Sequence, residues 1–294
     1  MALIDLENTI TRLGTNLPEP GQCGNFISNP INGANVIKID KFPWLALIQY
    51  EKDGNSVGYR CSGSLINNRY VLTAAQCISG LPINWKPSRV RLGEWNASTD
   101  QDCEVDTRGI KNCADPYIDV TIEKVIPHEK FENSLKGPQN DIALIRLSRI
   151  VDYTDYIRPI CLPLDDILKE STFDGYKMYI SGWEIPDEGI KGIIKRYAEV
   201  PVVPVNECKS LYSQNSLDVG TSQICAGGQK GIDSCRGDAG GPLIGLDSSN
   251  KQRVYNFIAG IVSFGASPCG QQDWPSVYTR VGYYVDWIKQ HIEP

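Results

Sequence analysis

Apolar residues in this chain gather in short runs rather than in long helical stripes. FPWLALIQY (42–50), RYVLTAA (69–75), RVRLGEW (89–95), IALIRL (142–147), KMYISGW (177–183) and YNFIAGIVSF (255–264) are the main ones. Clusters of Gly, Pro, Asn and Asp separate them. Many short β-rich runs divided by turn signals predict an all-β sandwich or barrel. Only the end of the chain reads as a helix. In YYVDWIKQHI (283–292), Tyr284, Ile288 and His291 or Ile292 fall at helical spacing on one face. Residues 1–30 are polar, carry Pro18, Pro20 and Pro30, and read as a linker with one cysteine, Cys23.

Composition narrows this picture. A chain of 294 residues can bury a large core without needing disulfides merely to fold. With 29 basic and 35 acidic groups the net charge is -6. An acidic chain without Lys/Arg clusters is not expected to bind nucleic acid or a membrane surface. No apolar run approaches the roughly 18 residues of a membrane-spanning helix. The opening MALIDLENTITRLG has early acidic groups and no long apolar stretch, so it is not a signal peptide. A secretion signal would then lie outside this sequence, and Met1 reads as a start added to, or mis-assigned within, a longer secreted chain. Ten cysteines, an even number, suggest an oxidising, extracellular compartment and five disulfides. Their spacing shows no Cys-x-x-Cys or paired histidines, which argues against zinc. There are only two histidines, His128 in VIPHEKF and His291 near the end. The plain reading of both is a solvated or capping side chain.

Three segments carry candidate chemistry. They are Leu72-Thr73-Ala74-Ala75-Gln76-Cys77, Asn140-Asp141-Ile142-Ala143-Leu144, and the run from Asp233 to Pro242, DSCRGDAGGP. Together, in this order and spacing, they resemble the trypsin/chymotrypsin family of serine proteases from Ile31 to the C-terminus. The resemblance implies an all-β fold of two six-stranded antiparallel barrels with a C-terminal helix. It places the cleft between the barrels and their boundary near 148–160. Residues 1–30 would be a light-chain or linker remnant tethered by Cys23, and residues 31–294 the protease domain.

The family's mechanism needs a serine nucleophile, a histidine that takes its proton, and a buried aspartate that orients the histidine. Asp141 sits where the aspartate belongs. Gln76 stands at the histidine position and Ala239 at the serine position. A methyl group cannot attack, and an amide is no base near neutral pH, so the chain as written is expected to be catalytically dead. Gly237 matches the glycine that, with the backbone N–H of residue 239, forms the oxyanion hole. In the family, that hole forms after cleavage, when a new N-terminal ammonium pairs with the aspartate before the nucleophile. Here the partners would be Ile31 and Asp238. Pro30 precedes Ile31, where a trypsin-like activator reads Arg or Lys, so the chain is expected to stay a single-chain zymogen. The pocket is better kept. Asp233 stands where trypsin-like members bind Arg or Lys, Ser263 would pair with substrate backbone, and Gly265 would leave the entrance open. Ser276 replaces a usual glycine, and its hydroxymethyl group is expected to narrow the pocket.

The resemblance also implies the bridges Cys61–Cys77, Cys208–Cys225, Cys235–Cys269 and Cys23–Cys161, which leaves Cys103 to pair with Cys113. That last pair lies in a loop where trypsin-like proteases often hold Ca²⁺ with hard oxygen ligands. Glu94 and Glu104 match the two carboxylates, Asn96 and Thr99 would give carbonyls, and Asp102 would assist. The alternative is a solvated acidic loop. Asn96-Ala97-Ser98 is also a glycosylation sequon. The extra bridge, the tethered light chain and the Cys-Gly before the activation site resemble arthropod clip-domain proteases. That group includes easter-like and prophenoloxidase-activating enzymes of immune and developmental cascades. The clip domain's six further cysteines are not among these residues.

Two functional classes follow. One is a natural non-catalytic homologue, a secreted monomer that binds a cascade protease, prophenoloxidase or a serpin and acts as cofactor or decoy. The other is the sequence of an active protease, inactivated or kept as a zymogen, whose parent cleaves protein substrates after Arg or Lys. Retained Asp141, Asp233, Gly237 and Asp238 fit the second, and the joint change at Pro30, Gln76 and Ala239 fits the first. A third, a structural secreted β protein, would require all three motif matches to be coincidence.

Overall fold

In the computed structural model, residues 17–25, 38–105, 108–183, 194–235 and 237–293 are described. Their strands close into two barrels. The first half of the chain supplies β1 (Leu45–Lys52), β2 (Asn55–Leu65), β3 (Tyr70–Thr73) and β4 (Trp85–Leu92). It continues through a small hairpin of β5 (Cys103–Val105) and β6 (Lys111–Cys113), then β7 (Ile118–Pro127). A second small hairpin, β8 (Glu132–Ser134) with β9 (Gly137–Gln139), precedes β10 (Ala143–Leu147). The first barrel runs β1-β2-β3-β10-β7-β4 and back to β1. The second is built from β11 (Lys177–Gly182), β12 (Arg196–Val203), β13 (Gln223–Gly227), β14 (Pro242–Asp247), β15 (Tyr255–Phe264) and β16 (Pro275–Arg280). Its order is β11-β12-β13-β16-β15-β14, closing on β11.

The closure explains the texture of the sequence. In a closed barrel every strand has two neighbours, so no long apolar edge is exposed. On β1, Ile48 pairs with Cys61 of β2 on one side and Val90 of β4 on the other. Leu47, Ile48, Val71, Leu72, Val90, Leu144 and Ile145 are all inaccessible to solvent. β15 is buried along nearly its whole length, which is why YNFIAGIVSF reads as a continuous apolar run and not as an alternating one. The first barrel's core continues into the second through Trp183, Ile244, Ile258 and Ile261, so the barrels share a packed seam.

The terminal helix is α3 (Val285–His291), entered through a 3₁₀ turn at Val281–Tyr284. It is not the only helix. α1 (Asp166–Glu170) starts under Asp165, whose carboxylate accepts from the Ile167 N–H at 2.9 Å. α2 (Val205–Ser213) buries Cys208 and Tyr212. Both were missed because they are too short to show helical periodicity; one is fixed by a cap and the other by a disulfide and one tyrosine.

Five bridges are closed: Cys23–Cys161, Cys61–Cys77, Cys103–Cys113, Cys208–Cys225 and Cys235–Cys269. The first holds residues 17–25 against the back of the second barrel. There the Gly24 carbonyl accepts from the Asn256 backbone N–H at 2.9 Å and its side-chain amide at 2.8 Å. Gly24 N–H in turn donates to Pro159 at 2.9 Å.

Candidate active site

Three turns at the barrel seam bring the candidate residues together. Gln76 sits in the middle of a single 3₁₀ turn, Ala75–Cys77, pinned by the Cys61–Cys77 bridge. Asp141 follows Asn140, which adopts φ 52°. Asparagine tolerates this left-handed conformation better than most residues because its short side chain bonds locally. Here the Asn140 amide donates to the Lys130 carbonyl at 2.8 Å and its oxygen accepts from Tyr284 Oη at 2.9 Å. The turn buries Asp141, whose own carbonyl accepts from Thr279 Oγ1 at 2.7 Å. Ala239 lies in a tight turn where Asp238 N–H donates to Cys235 and Gly241 N–H to Asp238. A side chain at Gly240 would collide with Thr73 Oγ1 and the Ser62 carbonyl, so only glycine lets this turn approach the first barrel.

Gln76, Asp141 and Ser263 form one hydrogen-bonded set. Gln76 Nε2 donates to Asp141 Oδ2 at 2.7 Å and to the Ser263 carbonyl at 2.6 Å. Both partners are acceptors, which fixes the amide nitrogen, not its oxygen, on this side. Gln76 backbone N–H donates to Asp141 Oδ1 at 2.9 Å, and Ser263 Oγ donates to Oδ2 at 2.6 Å. Burial nevertheless raises the Asp141 carboxyl above its usual range, and these donors only partly offset it. Glutamine supplies hydrogen bonds but no positive charge. Beside it, the Ala239 carbonyl accepts from Ser62 N–H at 2.8 Å, and its side chain packs on the first barrel's core. The set offers a carboxylate, an amide and a methyl group. None of these is both basic near pH 7 and placed next to a nucleophile.

Asp233 is heavily bonded. Its Oδ1 accepts from Ser276 Oγ at 2.5 Å and Ser234 N–H at 2.8 Å, and its Oδ2 from Gly270 N–H at 3.0 Å. Ser276 Oγ also lies where a side chain on Gly265 would stand. The serine thus lies between the Asp233 carboxylate and Gly265. Asp238 is buried, and its Oδ2 accepts from Cys235 N–H at 3.0 Å. It borders a cavity of about 210 Å³ together with Ile180, Gly182, Ile232 and Val262. Gly237 adopts φ 91°, and its carbonyl accepts from Ser62 Oγ at 3.0 Å. Pro30 and Ile31 lie outside the described residues.

The acidic loop is held by hydrogen bonds among its own residues and Arg91. Glu94 is 2% exposed; its Oε2 accepts from Arg91 at 3.1 Å and its Oε1 from Trp95 N–H at 3.0 Å. Asp102 accepts from Trp95 N–H, Asn96 N–H and Thr99 Oγ1. The Asn96 carbonyl receives Thr99 N–H at 2.9 Å, and its Oδ1 receives Ser98 N–H and Oγ. Glu104 lies on β5, paired with Asn112 of β6. Among the described residues no three carboxylate, histidine or cysteine ligands converge. Burial, then the neighbouring Asp102 charge, push the Glu94 carboxyl up to about 7 in spite of Arg91.

Sequence reasoning missed the surface beyond Gln76. Arg60, Leu81, Pro82 and Trp85 line a hollow of about 420 Å³ there, with the Arg60 guanidinium 5.4 Å from the centre of the Trp85 ring. The signal was the apolar content of the loop after Cys77, ISGLPINW. The two histidines are also neighbours. The His128 ring meets Tyr284 edge-on and Trp287 at a tilt, and His291 Nε2 lies 2.9 Å from Glu129.

Comparison with known proteins agrees with this architecture. The family model described as Trypsin matches residues 31–288. "Serine protease ea" of Drosophila melanogaster is 52% identical over 279 residues, covering 94% of this chain and 71% of that protein. "Phenoloxidase-activating factor 1" of Holotrichia diomphalia is 41% identical, covering 94% of this chain and 73% of its own length. Among solved structures, the Drosophila Grass clip serine protease of the Toll pathway superposes with a TM-score of 0.79 at 38% identity. That match covers 91% of this chain and 73% of the other.

Proposed function

Because the chain belongs to the trypsin family of serine proteases, with insect clip-domain proteases among its relatives, we propose that it is a non-catalytic member of an extracellular proteolytic cascade. It holds a cascade protease, its protein substrate or a serpin through the protease-shaped surface and does not cut. The observation that carries this reading is the Gln76 amide. It bridges Asp141 and Ser263 at the place where a proton acceptor is needed, while Ala239 presents a methyl group. Loss of both nucleophile and base leaves only the residual rate that binding and oxyanion stabilisation provide. Relatives bearing the names "Melanization protease 1" and "Spaetzle-processing enzyme" support a place in an immune or developmental cascade.

A serpin traps its target by being acylated, so the proposal has a direct test. Mixed with a serpin carrying Arg at its reactive bond, the chain gives no covalent complex, whereas reversible association is retained. A complex that survives denaturation rejects the proposal.

A second reading has its own support. The bond from Ser263 to Asp141 and the Asp233 pocket are intact, as they would be in an active protease silenced at two positions. The triple variant Gln76→His, Ala239→Ser and Pro30→Arg separates the two. Cleavage after Arg or Lys following activation supports a silenced enzyme. No cleavage supports a surface shaped for binding.

A further inference from the structure

One motif of the sequence has no part in the crevice. Asn96-Ala97-Ser98 is the only Asn-x-Ser/Thr in the chain, and it opens the turn that follows β4. Thr99 N–H donates to the Asn96 carbonyl at 2.9 Å, which closes the turn, and Ser98, Thr99 and Asp100 are exposed. The backbone is held from both sides. Asn96 N–H donates to Asp102 at 3.0 Å, and Asn96 forms a β-bridge with Ile194. The side chain is engaged at one atom alone. Its Oδ1 accepts from Ser98 N–H at 3.2 Å and from Ser98 Oγ at 2.7 Å, whereas its Nδ2 donates to none of the described residues. An asparagine amide has an acceptor oxygen and a nitrogen with two protons. Here the oxygen builds the turn and the nitrogen is left over.

We propose that Asn96 carries the chain's single N-linked glycan. The site rests on the extracellular reading above, since only a chain in the secretory pathway meets the sugar donor, an oligosaccharide on a lipid diphosphate. Asn96 Nδ2 bonds to the anomeric carbon, the bond from that carbon to the phosphate oxygen breaks, the lipid diphosphate leaves, and Nδ2 gives up one proton. Oδ1 keeps both bonds from Ser98, so the turn survives the modification. A bulky, hydrated sugar then stands on the rim of the first barrel. That rim is where the strand entering the second barrel lies against it, with Lys195 N–H donating to the Trp95 carbonyl at 2.8 Å. No residue of 94–104 lines the hollow beyond Gln76 or the cavity beside Asp238. The glycan closes this rim to a protein partner and leaves the crevice open to one.

The test is expression of the full chain behind an added secretion leader in insect cells, with intact mass read on secreted and membrane-enclosed protein alike. The expected result is one N-glycan per chain, removed by PNGase F, after which Asn96 is read as Asp in its peptide. Ser98→Thr keeps the glycan and Ser98→Ala loses it. The folded glycoprotein releases its sugar to PNGase F without denaturant, because the turn is exposed. An unmodified Asn96 overturns the proposal, and so does a glycan released only after denaturation. The added leader makes the outcome independent of where the natural chain resides. A covalent serpin complex would reject the non-catalytic reading and leave this one standing.

Discussion

At the scale of single residues, Gln76 supplies hydrogen bonds but no base. Its amide nitrogen reaches the Asp141 carboxylate and the Ser263 carbonyl together, so the crevice keeps its hydrogen bonds. It cannot take a proton from a neighbour, since an amide is not basic near neutral pH. In a Pro30→Arg chain cut before Ile31, Ala239→Ser alone is therefore expected to give no acyl-enzyme burst with an Arg ester. A burst from the single variant would show that the amide is not what disables the site. Ser276 makes a second residue-scale case. Its hydroxyl holds the pocket carboxylate at 2.5 Å, and a ligand cation must compete with it. Ser276→Gly removes one of the hydrogen bonds on Asp233, and 4-aminobenzamidine should bind about tenfold tighter, the equivalent of one hydrogen bond to a charged group. Fluorescence titration of the two proteins side by side measures it.

Among the elements, α3 carries a pH dependence. His128 at the end of the first barrel packs on Tyr284 and Trp287, and His291 on the helix reaches Glu129. Burial lowers the His128 imidazole below its ordinary 6.5, helped by the His291 and Lys130 charges and opposed by Glu129. The fold favours the neutral ring, so the stability it contributes is present above 6.5 and is lost as pH falls through the lowered value. Between pH 7 and 5 the unmodified chain should lose more thermal stability than His128→Gln. Equal losses would remove His128 from the account. The sequence showed these elements unevenly. β15 is legible residue for residue because it is buried on both faces, and the terminal helix because it is amphipathic. β12 and β13 gave no comparable apolar run, because their partners in the barrel, not their own pattern, make them strands. In the site, the positions of Gln76, Asp141 and Asp233 were legible as motifs. That Ser276 bonds Asp233, and that Lys195 comes to lie on the acidic loop, were not, because both contacts join residues more than forty positions apart.

For the molecule as a whole, two barrels share one seam, and the N-terminal segment is tied behind the second by Cys23–Cys161. That bridge closes the chain over a separation of 138 residues, so removing it frees a large loop in the unfolded state. The pair Cys23→Ser and Cys161→Ser should lower the melting midpoint by about 5–10 °C, given a typical contribution of ~2–4 kcal/mol per bridge. Asp238 borders a cavity of the second barrel. Treatment with trypsin should leave the Pro30–Ile31 bond intact, and N-terminal sequencing should find no chain beginning at Ile31.

The central claim is that a protease scaffold stands here without a nucleophile and base. It is tested most directly on the Pro30→Arg variant, cut with immobilised trypsin and freed of it, so that Ile31 is the new N-terminus. The measurement is release of nitroaniline from an Arg p-nitroanilide. The account predicts a rate indistinguishable from buffer. Saturable release that a serine-directed phosphonylating reagent abolishes would contradict it.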